Sequence, residues 1–146
     1  LESFAASQFA YSMMARSAEA EMVPACRKLG VAVIPYLPLA AGMLTGKVDA
    51  GGSAPPGSRL DIETTTAERW ITPNNLALVK MRNNWAQERG HTVLDLAFSW
   101  LLANKAVSSV IAGATKIEQV ITNSKAAAWD LTTEEVDEVN GILDAN

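Results

Sequence analysis

The sequence predicts an α/β fold in which short parallel strands alternate with helices. Residues 31–34 (VAVI) form a continuous apolar run, typical of a strand buried on both faces of a parallel sheet. Several longer segments carry apolar residues at helical spacing and end at a glycine. Together the segments follow the order β-α-β-loop-α-α-β-α-α, the alternation that βαβ units produce.

Composition limits the classes of protein to consider. The chain has 146 residues, 49% of them hydrophobic and 19% charged, with a net charge of −4. We expect a single domain over residues 1–146, with a continuous core. The mildly acidic balance gives no reason to expect nucleic acid or a membrane as a partner. The lone Cys26 excludes an internal disulfide and a cysteine-based metal site.

The N-terminus gives an expectation about processing and location. The first residue is Leu1, and Glu2 stands where a signal peptide would carry a basic residue. We therefore expect a truncated N-terminus and a cytoplasmic protein.

The first half predicts a strand, a helix and a second strand. Residues 3–14 are typical of a short strand that enters a loop, and residues 18–29 of a helix that ends at Gly30. Pro24 fits this helix only near its first turn. The predicted apolar face consists of Met22, Cys26 and Leu29. Residues 48–72, rich in Gly, Pro and Ser at their start, predict a long surface loop.

Three further elements follow the loop. A helix over 74–89 has an apolar stripe formed by Leu78, Met81 and Trp85. The next helix starts near a Thr92–Asp95 capping box, and its stripe consists of Leu94, Ala97, Phe98 and Leu101. Residues 107–112 predict a strand.

Two helices end the chain. A Thr115–Glu118 pair predicts a capping box for the first. The last has a Thr132–Glu135 capping box and a hydrophobic staple between Leu131 and Val136. Its predicted buried face consists of Val136, Val139, Ile142 and Leu143.

The segment from Val110 to Gln119 combines a strand end, a glycine turn and a helix start. Unpaired N–H groups at a helix N-terminus favour a phosphate, and Gly113 lets a ligand approach the backbone. Lys116 adds a suitable positive charge. An ordinary solvated helix start is the alternative, and Glu118 favours it because its carboxylate already complements the helix dipole.

The segment from Tyr36 to Lys47 (YLPLAAGMLTGK) follows the buried strand. Its small residues leave room for a ligand at the carboxyl end of the strand, where parallel sheets bind ligands. The aromatic ring of Tyr36 would then stack on a flat ligand. A tight connection with Tyr36 in the core is the alternative, which the segment taken alone favours.

Three motifs together resemble the C-terminal half of the aldo-keto reductases. They are Y-x-P-L-A-x-G-x-L-T-G-K, G-x-T-x-x-x-L-A-x-x-W from Gly90 to Trp100, and V-I-x-G-A-T-K-x-x-Q-x-x-x-N from Val110 to Asn123. The W-D-L-T segment at Trp129 adds to the likeness. The resemblance implies a partial (β/α)8 TIM barrel, with about three parallel strands and flanking helices, equivalent to the sixth to eighth units of the family barrel.

The resemblance also implies an NADP(H) site at the carboxyl ends of the strands. Gln8 would face the nicotinamide carboxamide and Tyr36 would stack on the nicotinamide ring. The residues expected along the pyrophosphate and at the adenosine end are Leu39, Gly42, Gly113, Ala114, Thr115, Lys116, Gln119 and Asn123. Three positions depart from the family pattern: Leu37 for a small hydroxyl residue, Ala112 for proline, and Gln119 for the frequent arginine.

The catalytic Asp, Tyr, Lys and His of the family lie in the other half of its barrel, and nothing here matches them. We expect His91 to be an exposed residue near a helix cap, and neither Tyr11 nor Tyr36 has a suitably spaced lysine. Carbonyl reduction needs a proton donor near the developing alkoxide. The sequence therefore predicts no catalytic residue and no metal ligand, and leaves open whether the chain is an enzyme.

Three functions remain open at this point. The first is an aldo-keto reductase portion, from an NADPH-dependent reductase of aldehydes or ketones, that is inactive alone. The second is a self-associating half-barrel with a structural or binding role, since open sheet edges recruit a second copy or a complementary half-barrel. The third is NADP(H) binding without chemistry.

Overall fold

The computed structural model describes residues 4–144, with side chains described as far as Ile142. Two strands, two 3-10 helices and seven α-helices make up this part of the chain. In order they are β1 (Ala6–Ser7), the first 3-10 helix (Ser17–Glu19), α1 (Met22–Leu29), β2 (Ala32–Val33), the second 3-10 helix (Ala40–Thr45), α2 (Arg59–Ile62), α3 (Thr64–Trp70), α4 (Pro73–Gln87), α5 (Val93–Ala103), α6 (Ile117–Ala126) and α7 (Thr133–Asp144).

Three parallel segments lie side by side, with β2 in the middle. Strand β1 pairs with β2 in parallel, with Ala6 opposite Ala32. On its other side, Val33 forms a single parallel bridge to Val107. The predicted parallel sheet is therefore present, but the strand expected over 107–112 is reduced to this bridge. Pro35 lies two residues after the end of β2, and it has no N–H to donate to a neighbouring segment.

The first strand is shorter than predicted. Of residues 3–14, only Ala6–Ser7 form a strand, while Ser3 lies outside the described residues. The parallel alignment nevertheless continues, because the Tyr11 N–H donates to the Tyr36 carbonyl at 3.2 Å. The two chain segments therefore leave the sheet side by side.

Helix α1 ends where predicted, but it begins at Met22 rather than at residue 18, and its buried face differs. Gly30 ends it in the left-handed conformation with φ of 67°, and Pro24 lies in the first turn. Val23 and Cys26 are buried, whereas Met22 and Leu29 are 46% and 68% exposed. The predicted face was thus wrong at two positions, because packing against the sheet selects the Val23 side of the helix.

The long loop predicted over 48–72 is wrong in its second half. This part forms α2, which buries the side chain of Leu60, and α3, which buries the side chain of Trp70. Burial of these two side chains in the main core stabilises helices too short to form alone. Glycine and proline at 51–57 remain in turns, as their conformations favour.

Helix α4 buries a charged residue that the pattern did not predict. The Thr72 side chain caps its start by accepting from the Asn75 N–H. Leu78 and Trp85 are buried as predicted, but Met81 is 44% exposed and Arg82 is only 2% exposed. The two positions are about 100° apart on the helix, so only tertiary packing decides which of them faces inward.

Helix α5 is the central helix of the core. Thr92 and Asp95 form the predicted capping box. Ala97, Phe98 and Leu101 are buried as expected, while Leu94 is half-buried. Burial extends almost around the whole helix, because α4 and α6 both pack against it.

The last two helices differ in how well their starts were predicted. The Thr115–Glu118 capping box was wrong, since α6 begins at Ile117 and Gln119 accepts from the Lys116 N–H instead. The Thr132–Glu135 box is present, with bonds of 2.9 and 3.2 Å. Val139 is buried and Ile142 packs against the core, while the side chain of Leu143 lies outside the described residues.

Within residues 4–144, no helix combines the length and the apolar character needed to cross a bilayer.

Candidate functional site

The carboxyl ends of the parallel segments bring the first two predicted site residues to one edge of the sheet. Gln8 follows β1 and Tyr36 follows β2, and both side chains are exposed. The Tyr36 N–H donates to the Phe9 carbonyl at 3.0 Å, which fixes the two segments next to each other. The 41% exposed ring of Tyr36 shows that it does not lie in the core.

The segment after Tyr36 has an unusual backbone. Leu37, Ala40 and Ala41 all have positive φ, at 59°, 47° and 59°. Residues other than glycine rarely adopt this conformation, which costs about 1–3 kcal/mol each where it is imposed. Gly42, at φ of 116°, accommodates it without a side chain, and its carbonyl accepts from the Thr45 hydroxyl at 2.6 Å. Such strain concentrates where a loop is shaped for a ligand.

A cavity of about 180 Å³ lies between this segment and the start of α6. Four of the predicted site residues line it: Leu39, Gly113, Gln119 and Asn123. Five more lining residues were not predicted: Thr45, Lys47, Leu94, Glu118 and Thr122. Thr45 and Lys47 belong to the L-T-G-K end of the first motif, which was the available signal for them.

Gln119 organises the turn before α6. Its Oε1 atom accepts from the Thr115 N–H at 2.7 Å, the Thr115 hydroxyl at 3.2 Å and the Lys116 N–H at 3.2 Å. Thr115 and Lys116 therefore do not line the cavity themselves. They are hydrogen-bonded to Gln119, which does line it. A side chain at Gly113 would meet nothing within 4 Å, so the backbone there is open to a ligand.

The charges around the cavity are mixed. Lys47 and Glu118 line it, and Lys116 lies exposed beside it. Two lysines against one carboxylate make the site able to hold an anionic group. Among the predicted residues, Gln8, Tyr36, Gly42 and Ala114 do not line this cavity.

Neither Tyr11 nor His91, which the sequence analysis considered as proton donors, lies at this cavity. Tyr11 is buried and donates to Glu19 at 2.8 Å, and burial raises the pKa of its phenol above the ordinary value. The His91 ring stacks on Trp129 at 3.9 Å, so the expectation of a simply exposed histidine was incomplete. In the described part of the chain, no group of three His, Cys, Asp or Glu residues could hold a metal ion.

The fold and the position of this cavity define the class of protein: a parallel α/β arrangement with a cavity at the carboxyl ends of the strands. Residues 3–144 match the aldo/keto reductase family, and the chain belongs to this family. The resemblance found in the three motifs is therefore confirmed.

Known relatives support the same assignment. The chain is 36% identical over 138 residues to the "Probable voltage-gated potassium channel subunit beta" of rice (Oryza sativa subsp. japonica), covering 91% of this chain and 42% of that protein. It is 38% identical over 101 residues to the L-glyceraldehyde 3-phosphate reductase of Escherichia coli O157:H7, covering 66% of this chain and 29% of that protein. The chain thus spans less than half of the curated relatives it matches.

A solved structure shows the same fold. The glycerol dehydrogenase of Gluconobacter oxydans aligns with a TM-score of 0.75 at 27% identity, over 94% of this chain and 42% of that one. The chain is therefore similar in fold to an aldo-keto reductase, a family of TIM-barrel proteins that generally uses NADP(H).

The residues of the cavity fit the phosphate and ribose portion of such a cofactor. A volume of about 180 Å³ is too small for a whole dinucleotide, so the nicotinamide end would extend towards the exposed Tyr36. The lysines supply the positive charge that a phosphate group requires, and the open backbone at Gly113 lets it approach.

Proposed function

We propose that this chain is the cofactor-binding portion of an NADPH-dependent carbonyl reductase and binds NADP(H) itself, and that its catalytic groups lie outside it. The observation that carries the proposal is the cavity between the strained 37–46 segment and the N-terminus of α6. Both walls of this cavity come from motifs shared with the family. An expected cytoplasmic location is part of the same proposal.

Each wall of the cavity holds a different part of the cofactor. Lys116 and the turn formed by Gly113–Thr115 surround the adenosine 2′-phosphate, while Gln119 and Asn123 contact the adenine end. Leu39 and Gly42 lie along the pyrophosphate, and Lys47 supplies a positive charge there. The exposed ring of Tyr36 stacks on the nicotinamide. When bound, the cofactor supplies the hydride for carbonyl reduction.

Among the described residues, the chain contributes groups for binding but no acid–base group at this site. Tyr11 is buried against Glu19 and Asn104, and His91 is stacked on Trp129. A carbonyl oxygen that gains negative charge needs a proton donor within hydrogen-bond reach. Catalysis by this chain therefore depends on residues from a further part of a barrel.

Isothermal titration of NADPH into the chain tests the binding proposal. We expect a dissociation constant near ~1 mM for a half-open site, and weaker binding in Lys47→Ala and Gln119→Ala. Lys80→Ala, an exposed change on α4, serves as the matched control. Absence of heat at millimolar NADPH would contradict cofactor binding, and turnover of aldehydes by the pure chain would contradict the missing proton donor.

A second proposal concerns the partner that the fold requires. Helix α6 exposes three apolar side chains, of which Ile117 is 75%, Val120 57% and Ile121 48% exposed. On the opposite side of β2, Phe4 precedes β1 and is 85% exposed. Exposed apolar residues beside open strand edges favour docking of another polypeptide. We infer that a complementary half-barrel covers this surface, with a second copy of the chain as the other candidate.

Size-exclusion chromatography with light scattering distinguishes these partners. A dimer that dissociates in the Ile117→Glu/Val120→Glu variant indicates a second copy, whereas a monomer that binds an N-terminal half-barrel of a relative indicates complementation. Ile62→Glu, at another exposed apolar position on α2, is the control. If the wild-type chain neither forms a dimer nor binds the N-terminal half-barrel, the docking proposal is contradicted.

A further inference from the structure

The cavity beside α6 contains one acidic side chain. Glu118 lies in the first turn of α6, its side chain is exposed, and it lines the cavity of about 180 Å³. Among the described residues that line this cavity, Lys47 is the only cation and Glu118 the only anion. The lining therefore carries no net charge at neutral pH, so a group with two negative charges gains little from the lining as a whole.

The hydrogen-bond donors of the turn before α6 are already occupied. The Oε1 atom of Gln119 accepts from the Thr115 and Lys116 N–H groups and from the Thr115 hydroxyl, at distances between 2.7 and 3.2 Å. An anionic oxygen that approaches this turn must displace Gln119 before it can accept from the same groups. This end of the cavity is therefore less favourable for a phosphate than an uncapped helix start would be.

NADPH and NADH differ only at the 2′ position of the adenosine ribose. NADPH carries a phosphate monoester there, with a charge of about −1.5 to −2 at pH 7, whereas NADH carries a hydroxyl. An ionised carboxylate can only accept hydrogen bonds, so Glu118 repels the phosphate oxygens and accepts from the hydroxyl. The same side chain therefore changes the two affinities in opposite directions.

We propose that Glu118 is a specificity-determining residue for the cofactor, and that because of it the chain binds NADH about as well as NADPH. This inference rests on the proposed function, because that function places the adenosine 2′ position at the start of α6. Lys47 and Lys116 attract both cofactors, since both carry the negatively charged pyrophosphate. Glu118 acts at the 2′ group, where the two cofactors differ, so it affects the choice between them.

Three variants test the charge of this side chain. Glu118→Gln removes the charge and keeps the size, and we expect it to bind NADPH about fivefold more tightly than the wild type and NADH within about twofold of it. Glu118→Asp keeps the charge and should keep the wild-type ratio of the two dissociation constants. Glu134→Gln is the matched control, because Glu134 is also an exposed carboxylate in the first turn of a helix, α7. It should change neither affinity.

The Thr115 amide reports binding at this turn, because it donates to Gln119 at 2.7 Å. We would follow its resonance in a ¹H–¹⁵N correlation spectrum during titration with NADPH or NADH, for the wild type and the three variants. The two wild-type dissociation constants should agree within about threefold. The gain in NADPH affinity in Glu118→Gln should shrink as salt rises from about 0.01 to about 1 M, because the screening length then falls from about 30 to about 3 Å.

The possible outcomes separate a failure of this inference from a failure of cofactor binding. Wild-type affinity for NADPH more than about tenfold above that for NADH would overturn the role of Glu118. So would a Glu118→Gln variant whose NADPH affinity does not rise relative to its NADH affinity, or a rise that persists undiminished at about 1 M salt. Cofactor binding stands in all three cases. Absence of shifts with either cofactor at millimolar concentration contradicts the proposed function itself, and this inference with it.

Discussion

The buried Arg82 makes a strong prediction about stability. Its guanidinium is 2% exposed, with two nitrogens unpaired among the described residues. Burial, together with repulsion from the Arg16 charge, lowers the pKa of Arg82 from its ordinary value to about 10. Since one unit of pKa corresponds to ~1.4 kcal/mol, the charged side chain costs the folded state about 3 kcal/mol at pH 7.

Replacing this charge should therefore stabilise the protein. Met has a similar unbranched shape and a high helix propensity, so Arg82→Met removes the charge and keeps most of the packing. We expect the free energy of unfolding to rise by about 1–3 kcal/mol at pH 7. Urea unfolding followed by circular dichroism, in a buffer without phosphate, measures this change.

Two controls make the experiment specific to the buried charge. Arg82→Lys keeps a positive charge at the same place and should not stabilise, while Arg69→Met on the surface should change stability by less than about 0.5 kcal/mol. The sign also follows from proton linkage. The unfolded state binds the Arg82 proton more tightly, so wild-type stability rises as pH increases above about 10. If Arg82→Met destabilises the protein by more than ~1 kcal/mol, the guanidinium has compensating partners and the reasoning is refuted.

Three further changes probe the caps, the core and the buried phenol. Thr92→Ala removes the capping box of α5 and should lower the free energy of unfolding by about 1 kcal/mol in urea; an unchanged midpoint would mean the cap contributes nothing. Leu96→Ala, at a position with 0% exposure, should cost about 2–5 kcal/mol, and a loss below ~1 kcal/mol would show that the core collapses around the gap. Burial raises the pKa of Tyr11, so the unfolded state ionises first and stability should fall as pH rises above ~10. Tyr11→Phe should remove that part of the decline in pH-dependent unfolding, and identical pH profiles for the two proteins would contradict it.

Local signals were predicted well from the sequence because they depend on a few neighbouring residues. The Thr92–Asp95 and Thr132–Glu135 caps and the left-handed Gly30 need only the backbone around them. The prediction of a Thr115–Glu118 cap was wrong because more than one neighbouring residue could cap this helix. Gln119 was an equally good partner one residue further on, and three hydrogen bonds favour it.

The candidate cofactor site was predicted from the family motifs rather than from local chemistry. Leu39 and Gly113 are far apart in the chain, and only the parallel arrangement of the strands brings them to one cavity. Thr45 and Lys47 were missed because no local rule indicates which residues of a loop face α6. The stacking of His91 on Trp129 was missed for the same reason.

The sequence by itself determined the alternation of strands and helices, most helix ends and membership of the aldo/keto reductase family, because these are written in short patterns and shared motifs. Only the tertiary structure decided that Arg82 rather than Met81 faces the core, that α2 and α3 form, and that Leu39 and Gly113 line one cavity. Each of these depends on which surfaces of distant segments meet. That outcome follows from the free energy of burying whole faces together, which no single stretch of residues specifies.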